Sequence, residues 1–389
     1  MRTQVGIIGA GPAGLFLAHI LHRAGIESVI LEDRSRAYVE DRVRAGVLEA
    51  GTVDVMEQLG LDGRLKRESI ADMALDIRFS SQRIHLDFPA LGGGRHVTIY
   101  GQQEVVKDLI AARLKDNGKI VFEAEALAID TKNPSIRYRH EGKEETLECD
   151  FVAGCDGFHG ISRPTIPKNV LTEYDRIYSF AWLGVLSHSA PLPEMTYSNN
   201  ERGFALCSRR SMKVSRHYLQ VPVDEDPDDW SDARFWDELH LRLDDGSKHE
   251  IVEGEIFQKN VAPLRAFVAA PMQHGRLFLA GDASHIVPPT GAKGLNLAVA
   301  DVRVLSRAMI EFYRTGDTKR LERYSDVCLR RVWKTVRFSA YMTSLLHRFP
   351  EHSPFDRKIQ LAELEYLHNS KAAQTTIVEN YIGLPFEDD

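Results

Sequence analysis

The sequence predicts an α/β protein: a parallel-sheet nucleotide-binding unit, interrupted by a mostly β segment and followed by a helical C-terminal region. Three observations predict it. Gly9-Ala10-Gly11-Pro12-Ala13-Gly14 lies between a buried apolar run at 5–8 and a helical pattern at 15–24. From about 177 to 267 the pattern turns β-rich, and after Gly294 it is nearly all helical. Some two-thirds of the way along, residues 277–280 read again as a buried parallel strand, which ends on Gly281-Asp282-Ala283.

Taken in order, residues 1 to about 70 read as β-α-β followed by helices, with the second strand at 28–31 ending in Glu32. Residues 75–88 alternate as two strands, with Leu75, Ile77 and Phe79, then Ile84, Leu86 and Phe88, joined by a turn at Ser80-Ser81-Gln82-Arg83. Helical spacing over 103–115 comes from Val105, Val106, Leu109, Ile110 and Leu114. Strands are expected at 120–128 and 136–138. A buried strand then runs through Phe151-Val152-Ala153-Gly154 into a turn at Cys155-Asp156-Gly157. One helix, near 233–243, interrupts the β-rich part, and broken stretches fall around Pro350 and Pro354.

Composition narrows the function. A net charge of -7 argues against a nucleic-acid surface. No apolar run approaches the ~18 residues of a membrane span, and the N-terminus runs straight into a strand, unlike a signal peptide. Cys149, Cys155, Cys207 and Cys328 are scattered without CxxC spacing, which fits reduced thiols in a cytoplasmic protein. The histidines show no metal-ligand spacing, so no metal is expected.

The glycine motif carries the first chemistry. Gly9 allows a tight turn, Gly11 lets the backbone approach a pyrophosphate, and Gly14 allows close packing of helix on strand. The helix start presents N–H groups to the phosphates, and Glu32 lies where a ribose-hydroxyl acceptor belongs. The distant Gly281-Asp282 selects the dinucleotide: a nicotinamide enzyme has no use for it, whereas FAD needs a second segment to hold its ribityl chain. The stiff run Pro288-Pro289-Thr290-Gly291-Ala292-Lys293-Gly294-Leu295-Asn296 leads into a helix whose N–H groups suit the carbonyl edge of a flavin. The expected organisation is an FAD-binding domain in three parts, 1–72, 99–176 and 269–296. Substrate-domain strands occupy 73–98, a β-sheet substrate domain 177–268, and a helical interface region 297–389.

Together the GxGxxG motif, the central Asp156-Gly157 and the late Gly281-Asp282 resemble those of the single-component flavoprotein aromatic hydroxylases, with a Rossmann-type (GR2-like) FAD-binding domain. The likeness extends through Gly154-Cys155-Asp156-Gly157-Phe158-His159-Gly160-Ile161-Ser162-Arg163 and Arg42-Val43-Arg44-Ala45-Gly46-Val47-Leu48-Glu49. It also includes Arg202-Gly203-Phe204-Ala205-Leu206-Cys207-Ser208, residues 280–296, and Glu379-Asn380-Tyr381-Ile382-Gly383-Leu384-Pro385. It thus spans essentially the whole chain.

The resemblance implies a monooxygenase that hydroxylates 4-hydroxybenzoate ortho to the phenol, giving 3,4-dihydroxybenzoate in aromatic catabolism. It would use FAD, NAD(P)H and O2 through a flavin C4a-hydroperoxide. Ser208 and Arg210 would hold the substrate carboxylate with help from Tyr218. Tyr197 would hydrogen-bond the phenol, Tyr381 would hydrogen-bond Tyr197, and the Pro289 carbonyl would face the phenol. Glu32 would bind the adenosine ribose, Arg44 (with Arg42) the pyrophosphate, and Gln102 and Asp282 the ribityl region, with Asp156 also on the cofactor. Gly291, Leu295 and Asn296 would line the flavin. Arg34, Tyr38, Arg42, His159, Arg163 and Arg265 would meet the nicotinamide donor. A cytoplasmic homodimer is implied too, with no nucleic acid and no membrane. Read without the likeness, Arg42, Arg44 and Arg210 have surface charge as their alternative reading, and the two tyrosines are equally amphipathic core residues. Two other readings stay open: a hydroxylase of another phenolic acid, such as 3,4-dihydroxybenzoate or a 3-hydroxybenzoate, and an FAD-fold binding protein without turnover.

Two departures from the family pattern stand out. Asp33, in Asp33-Arg34-Ser35-Arg36, repels an adenosine 2′-phosphate that Arg34 and Arg36 attract, so donor preference is open between NADH and NADPH. Asp72 lies near the position where the family's proton relay often ends on a histidine; a carboxylate there relays a proton through water at a lower pKa.

Overall fold

The computed structural model of the chain describes residues 1–42, 46–243 and 251–387. A six-stranded sheet forms the base, in the order Gln273–His274, Leu277–Leu279, Phe151–Gly154, Val5–Ile8, Ser28–Leu31, Lys119–Val121. Every pairing except the first is parallel. The strands at its centre are buried from end to end, as a sheet covered on both faces requires. The helices Pro12–Arg23 and Gly294–Thr315 pack together over it. The second of these buries Leu297, Val299, Val302 and Leu305, each contributing about 1.5–3 kcal/mol.

The second large layer is an eight-stranded sheet. Its order is His285–Ile286, Ile256–Ala270, Thr172–Ser187, Ser215–Val221, Gly203–Arg209, Met195–Asn200, Ala74–Phe79, Gln82–Asp87. One face packs on the helices Tyr324–Leu346, Pro354–Asn369 and Lys371–Ile382, in a cluster that includes Trp182, Tyr197, Phe204, Met342, Leu364 and Tyr381. The opposite face buries Ala181, Leu183, Ala205, Cys207 and Leu219 against the helix Asp232–Leu243. Two three-stranded sheets complete the chain, one of them bringing Ile70–Asp72 beside Val97–Ile99.

The expected hairpin at 75–88 forms with a tighter turn than the four residues expected: Ser80 and Ser81, both at positive φ, make it as a two-residue turn, and Gln82 and Arg83 already pair with Phe79 and Arg78. The strand expected at 120–128 is instead two strands in different sheets, Lys119–Val121 and Ala124–Asp130. Glu123, at φ 55°, turns the chain between them. The edge strand Lys143–Glu148 was not expected, because its KEETLE sequence buries only Leu147. All four cysteines are buried, and none of them forms a disulfide. No helix among the described residues is long and apolar enough to cross a membrane.

Candidate active site

The three N-terminal glycines do different work. A Cβ on Gly9, which has φ 103°, would collide with the Cys155 carbonyl, and one on Gly14 would collide with the Gly9 carbonyl. A Cβ on Gly11 would meet nothing within 4 Å. Open space therefore adjoins the start of the helix Pro12–Arg23, whose N-cap is Gly11 itself with no side chain bonded to its N–H groups. A pyrophosphate fits there, against unpaired donors and the positive end of the helix. At the end of the next strand, Glu32 is buried, and its two oxygens accept from Ala10 N at 2.6 Å and Arg34 N at 3.0 Å. Burial, with Asp33 alongside, pushes its carboxyl up to about 7.

Asp156 follows the neighbouring strand. One oxygen accepts from Ser162 N at 2.9 Å and Ser162 Oγ at 2.8 Å, while Oδ1 is buried with no partner. A Cβ on Gly160 would strike the Asp156 carboxylate, so the glycine is needed for this close approach. Gln102 opens the helix Gln102–Lys115 and is half-buried. Arg42 is exposed, and Arg44 lies outside the described residues.

The Gly281-Asp282-Ala283 turn is held from below. Asp301, on the long helix, accepts Gly281 N at 2.9 Å and His285 Nε2 at 2.6 Å, all in the buried interior. Burial works against a charged His285, but the Asp301 carboxylate outweighs it, so the imidazole pKa rises. This leaves the Asp282 side chain exposed at the turn. Together, the open side of Gly11, the unpartnered Asp156 oxygen and the exposed Asp282 fit an FAD molecule.

The loop that follows is fixed at several points. Its turn closes by Ala292 N donating to Pro289 O at 2.9 Å, with Ala292 in the left-handed region at φ 53°. Thr290 Oγ1 and Thr343 Oγ1 share a hydrogen bond of 2.9 Å, tying the loop to the helix Tyr324–Leu346. Asn296 spends its amide on the fold, accepting from Glu49 N and Thr52 Oγ1 and donating to Val47 O and Ala292 O. Gly291 is buried against Ser339, and Leu295 is half-buried and packs on the main core.

Below the loop lies one face of the large sheet. Tyr197, Leu206 and Tyr218 stand opposite one another on adjacent strands, and Gly184 completes the row. A Cβ on Gly184 would come within 2.8 Å of the Tyr218 ring, so the glycine makes room for that ring. Ser208 is two residues from Leu206 and so shares its face. Its hydroxyl donates to Arg216 O at 3.1 Å. Arg210 follows at the hairpin end, its Nε buried without a partner. Burial, with Arg216 nearby, pulls its guanidinium down to about 10. Arg216, not anticipated from the sequence, lies over the Tyr218 ring at 5.0 Å and has two more unpartnered nitrogens, Nε and Nη1. Its signal was its place two residues before Tyr218 on the same strand.

At the other end of this face, Tyr197 Oη donates to Thr290 O at 2.8 Å and lies 3.1 Å from Tyr381 Oη. The loop carbonyl bonded to Tyr197 is thus that of Thr290, next to Pro289. Tyr381 Oη also reaches Met195 Sδ at 3.4 Å. Burial raises the pKa of both phenols, and the charge of Asp72 raises them further. Asp72 is itself fully buried. One oxygen pairs with Arg209 Nη2 at 2.6 Å, and Oδ2 has no partner. Burial outweighs the arginine and pushes its carboxyl up to about 6. Lys293 is a second group the sequence reading missed. Its ammonium is buried, 2.7 Å from Glu49 Oε1 and 2.8 Å from Tyr381 O, and burial lowers its pKa. These partners are remote in sequence, which is why Lys293 did not stand out.

Arginines also gather on the outer side of the Asp156 turn. Arg163 and Arg265 lie 4.5 and 4.4 Å from the Phe158 ring, with the exposed His159 edge-on to it. Further along the chain, Arg34 pairs with Asp33 at 3.4 Å and lies over the exposed Tyr38 ring, while Arg36 pairs with Glu40 at 2.7 Å.

Comparison with known proteins agrees with this geometry. A family model described as an FAD binding domain matches residues 2–339. The p-hydroxybenzoate hydroxylase of Acinetobacter baylyi is 50% identical over 390 residues, covering 100% of this chain and 96% of that protein. Among solved structures, p-nitrophenol 4-monooxygenase from Pseudomonas putida DLL-E4 has a TM-score of 0.83 at 20% identity, covering 99% of both chains. Aklavinone-11 hydroxylase, solved with FAD and aklavinone, has a TM-score of 0.74 at 20% identity, covering 89% of this chain and 69% of its own. These two structures bear on the fold alone.

Proposed function

The chain belongs to the FAD binding domain family of flavoprotein monooxygenases, and from that premise we propose that it hydroxylates 4-hydroxybenzoate ortho to the phenol, yielding 3,4-dihydroxybenzoate. The observation that carries this reading is the full-length identity of 50% to a p-hydroxybenzoate hydroxylase. The sheet face supports it chemically, with unpartnered guanidinium nitrogens at one end and a buried tyrosine pair at the other. A para-hydroxy acid has matching ends.

Arg210 binds the substrate carboxylate, with Ser208 and Tyr218 beside it; a planar guanidinium can bind a carboxylate by two parallel hydrogen bonds. Tyr197 exchanges its bond to Thr290 O for one to the phenol oxygen, and Tyr381 continues the proton route. Pro289 faces the phenol through its backbone carbonyl. Drawing the phenol proton away makes the ring carbon beside it more electron-rich, which is what an electrophilic oxygen needs. Bound FAD supplies that oxygen from O2 after reduction by NAD(P)H. Gly9 and Gly14 shape the turn at which Gly11 would admit the pyrophosphate, with Arg42 and Arg44; Glu32 would hold the ribose, and Gln102, Asp156 and Asp282 the ribityl side. Gly291, Leu295 and Asn296 would line the flavin, Asn296 by fixing the loop. The burial of Tyr197, Thr290 and Tyr381 keeps bulk water from the reacting carbon.

The donor meets Arg34, Tyr38, Arg42, His159, Arg163 and Arg265. A homodimer is part of the proposal: Phe355, Ile359 and Tyr366 expose an apolar stripe along one helix that a second copy would cover. The test is substrate-stimulated oxidation of NADH and NADPH across a hydroxybenzoate panel, with product and hydrogen peroxide both quantified. 4-Hydroxybenzoate should give product with little peroxide. Coupled turnover confined to 3,4-dihydroxybenzoate or 3-hydroxybenzoate overturns the substrate assignment, and a purified protein without flavin overturns the whole reading.

A further inference from the structure

Two arginines flank one aromatic ring where the donor is proposed to dock. The guanidinium carbons of Arg163 and Arg265 lie 4.5 and 4.4 Å from the Phe158 ring centre, and Phe267 stands edge-on to that ring at 5.1 Å. Two like charges on one ring need counter-charges. The strand Thr172–Ser187 supplies them from positions two apart, which share a face. Glu173 Oε1 accepts from Arg163 Nε at 2.9 Å. Asp175 binds Arg265 with both oxygens, at 2.7 Å to Nε and 2.5 Å to Nη2. Tyr174, between them, stacks edge-on with Trp333 instead. Arg163 also reaches Ala283 O at 3.4 Å, which joins this cluster to the Gly281-Asp282-Ala283 turn.

We propose that Asp175 and Glu173 set the affinity for the nicotinamide donor by occupying the guanidinium edges that its phosphates must take. The proposal rests on the assignment of Arg163 and Arg265 to the donor. A carboxylate and a phosphate use the same pair of guanidinium N–H groups. Binding is therefore an exchange of anions, not the filling of an unsatisfied site. Both carboxylates are partly exposed, with side-chain exposures of 49% for Glu173 and 35% for Asp175. Once displaced they reach water, so the exchange is inexpensive and reversible. Asp175 and Glu173 are thus positioning residues, which act through the arginines and do not touch the flavin.

The experiment measures KM for NADPH and NADH against kcat at saturating 4-hydroxybenzoate, on FAD-loaded enzyme. Asp175→Asn should lower the donor KM by about two- to fivefold, the reach of a partly exposed ion pair. Glu173→Gln should act in the same direction. Loss of a merely structural contact would raise KM or lower kcat. Arg265→Gln should raise the donor KM, and adding Asp175→Asn to it should change nothing further. If Arg265→Gln raises KM while Asp175→Asn leaves it unchanged or raises it, the exchange idea is overturned and the donor assignment stands. If Arg265→Gln leaves KM unchanged, the donor assignment falls and the exchange idea with it.

Discussion

The proposed substrate end and the proposed donor end of this molecule handle positive charge in opposite ways. Beneath the Pro288-Pro289 loop, Arg210 and Arg216 hold buried guanidinium nitrogens that no protein group satisfies. At the donor end, Arg163, Arg265, Arg34 and Arg36 each pair with a carboxylate near the surface. A buried unsatisfied cation is costly until an anion arrives, so that end favours tight, selective binding of one acid. Compensated surface pairs rearrange at little cost, so the donor end favours exchange. The reduced donor must come and go in each turnover, whereas the phenolic acid must be held through the chemistry.

The largest expected effect breaks the substrate end directly. Arg210→Ala removes a charge-assisted hydrogen bond of about 1.5–3 kcal/mol. Affinity for 4-hydroxybenzoate should fall about 10- to 150-fold, with FAD still bound; titration of the flavin spectrum with substrate measures it. Phenols lacking a carboxylate should bind poorly to the unmodified protein and lose little in the variant. An unchanged dissociation constant would mean that the unpaired Arg210 Nε serves some other purpose.

A smaller effect sharpens the other side of the same pocket. Tyr197→Phe removes a neutral hydrogen bond from the phenol, about 0.5–1.5 kcal/mol. Hydroxylated product per NAD(P)H should drop about two- to twelvefold and peroxide should rise. Tyr381→Phe should act similarly, because the two hydroxyls lie 3.1 Å apart. Simultaneous quantification of catechol product and peroxide decides the matter, and full coupling in both variants would remove the tyrosine pair from the proton route.

The contrast between the two ends also separates what the sequence discloses from what it conceals. The Gly9, Gly11 and Gly14 spacing is local, so its backbone logic can be read directly, as can the tight turn at Ser80 and Ser81. Lys293 was missed because its significance lies in partners far along the chain, Glu49 and Tyr381 across three separate segments, whereas Arg216 carried a local signal, its place two residues before Tyr218 on the same strand. Glu173 and Asp175 sit in a strand whose TEYDR start looks like ordinary solvated surface. The break at Glu123 was hidden because its positive φ falls on a residue type that rarely adopts it.

At the donor end the expected change is smaller again. Asp33 and Glu40 offset Arg34 and Arg36 at 3.4 and 2.7 Å, leaving little net charge for a 2′-phosphate to sense. Both NADH and NADPH should therefore be used, with a preference well below about 100-fold, given screening at so exposed a site. Asp33→Arg should raise kcat/KM for NADPH by up to about fivefold, the equivalent of roughly one kcal/mol, and leave NADH nearly unaffected. Absolute specificity of the unmodified protein for one donor would break the balance, and so would a preference that Asp33→Arg does not move.

The smallest effect belongs to Asp72, which combines both behaviours: one oxygen is paired with Arg209 and the other is buried without a partner. Arg209 is only slightly exposed and also contacts Pro193 O at 2.6 Å and Glu194 at 3.8 Å, so it leads from the interior toward the surface. Burial holds the Asp72 carboxyl near 6 despite that arginine. The sign follows from the charge. In the proposed proton route through Tyr197 and Tyr381, the carboxyl below pH 6 is protonated and cannot accept the phenol proton; above it, the carboxylate can. Coupled hydroxylation should therefore rise with pH through about 6, standing near half its plateau at that pH and flattening by about pH 7. Asp72→Asn should lower the plateau and erase this acidic limb, while the binding affinity for 4-hydroxybenzoate stays within about twofold, since Arg210 is the proposed ligand of the carboxylate. A limb that persists in Asp72→Asn would place the titrating group elsewhere and leave Asp72 as a counter-charge for Arg209 alone.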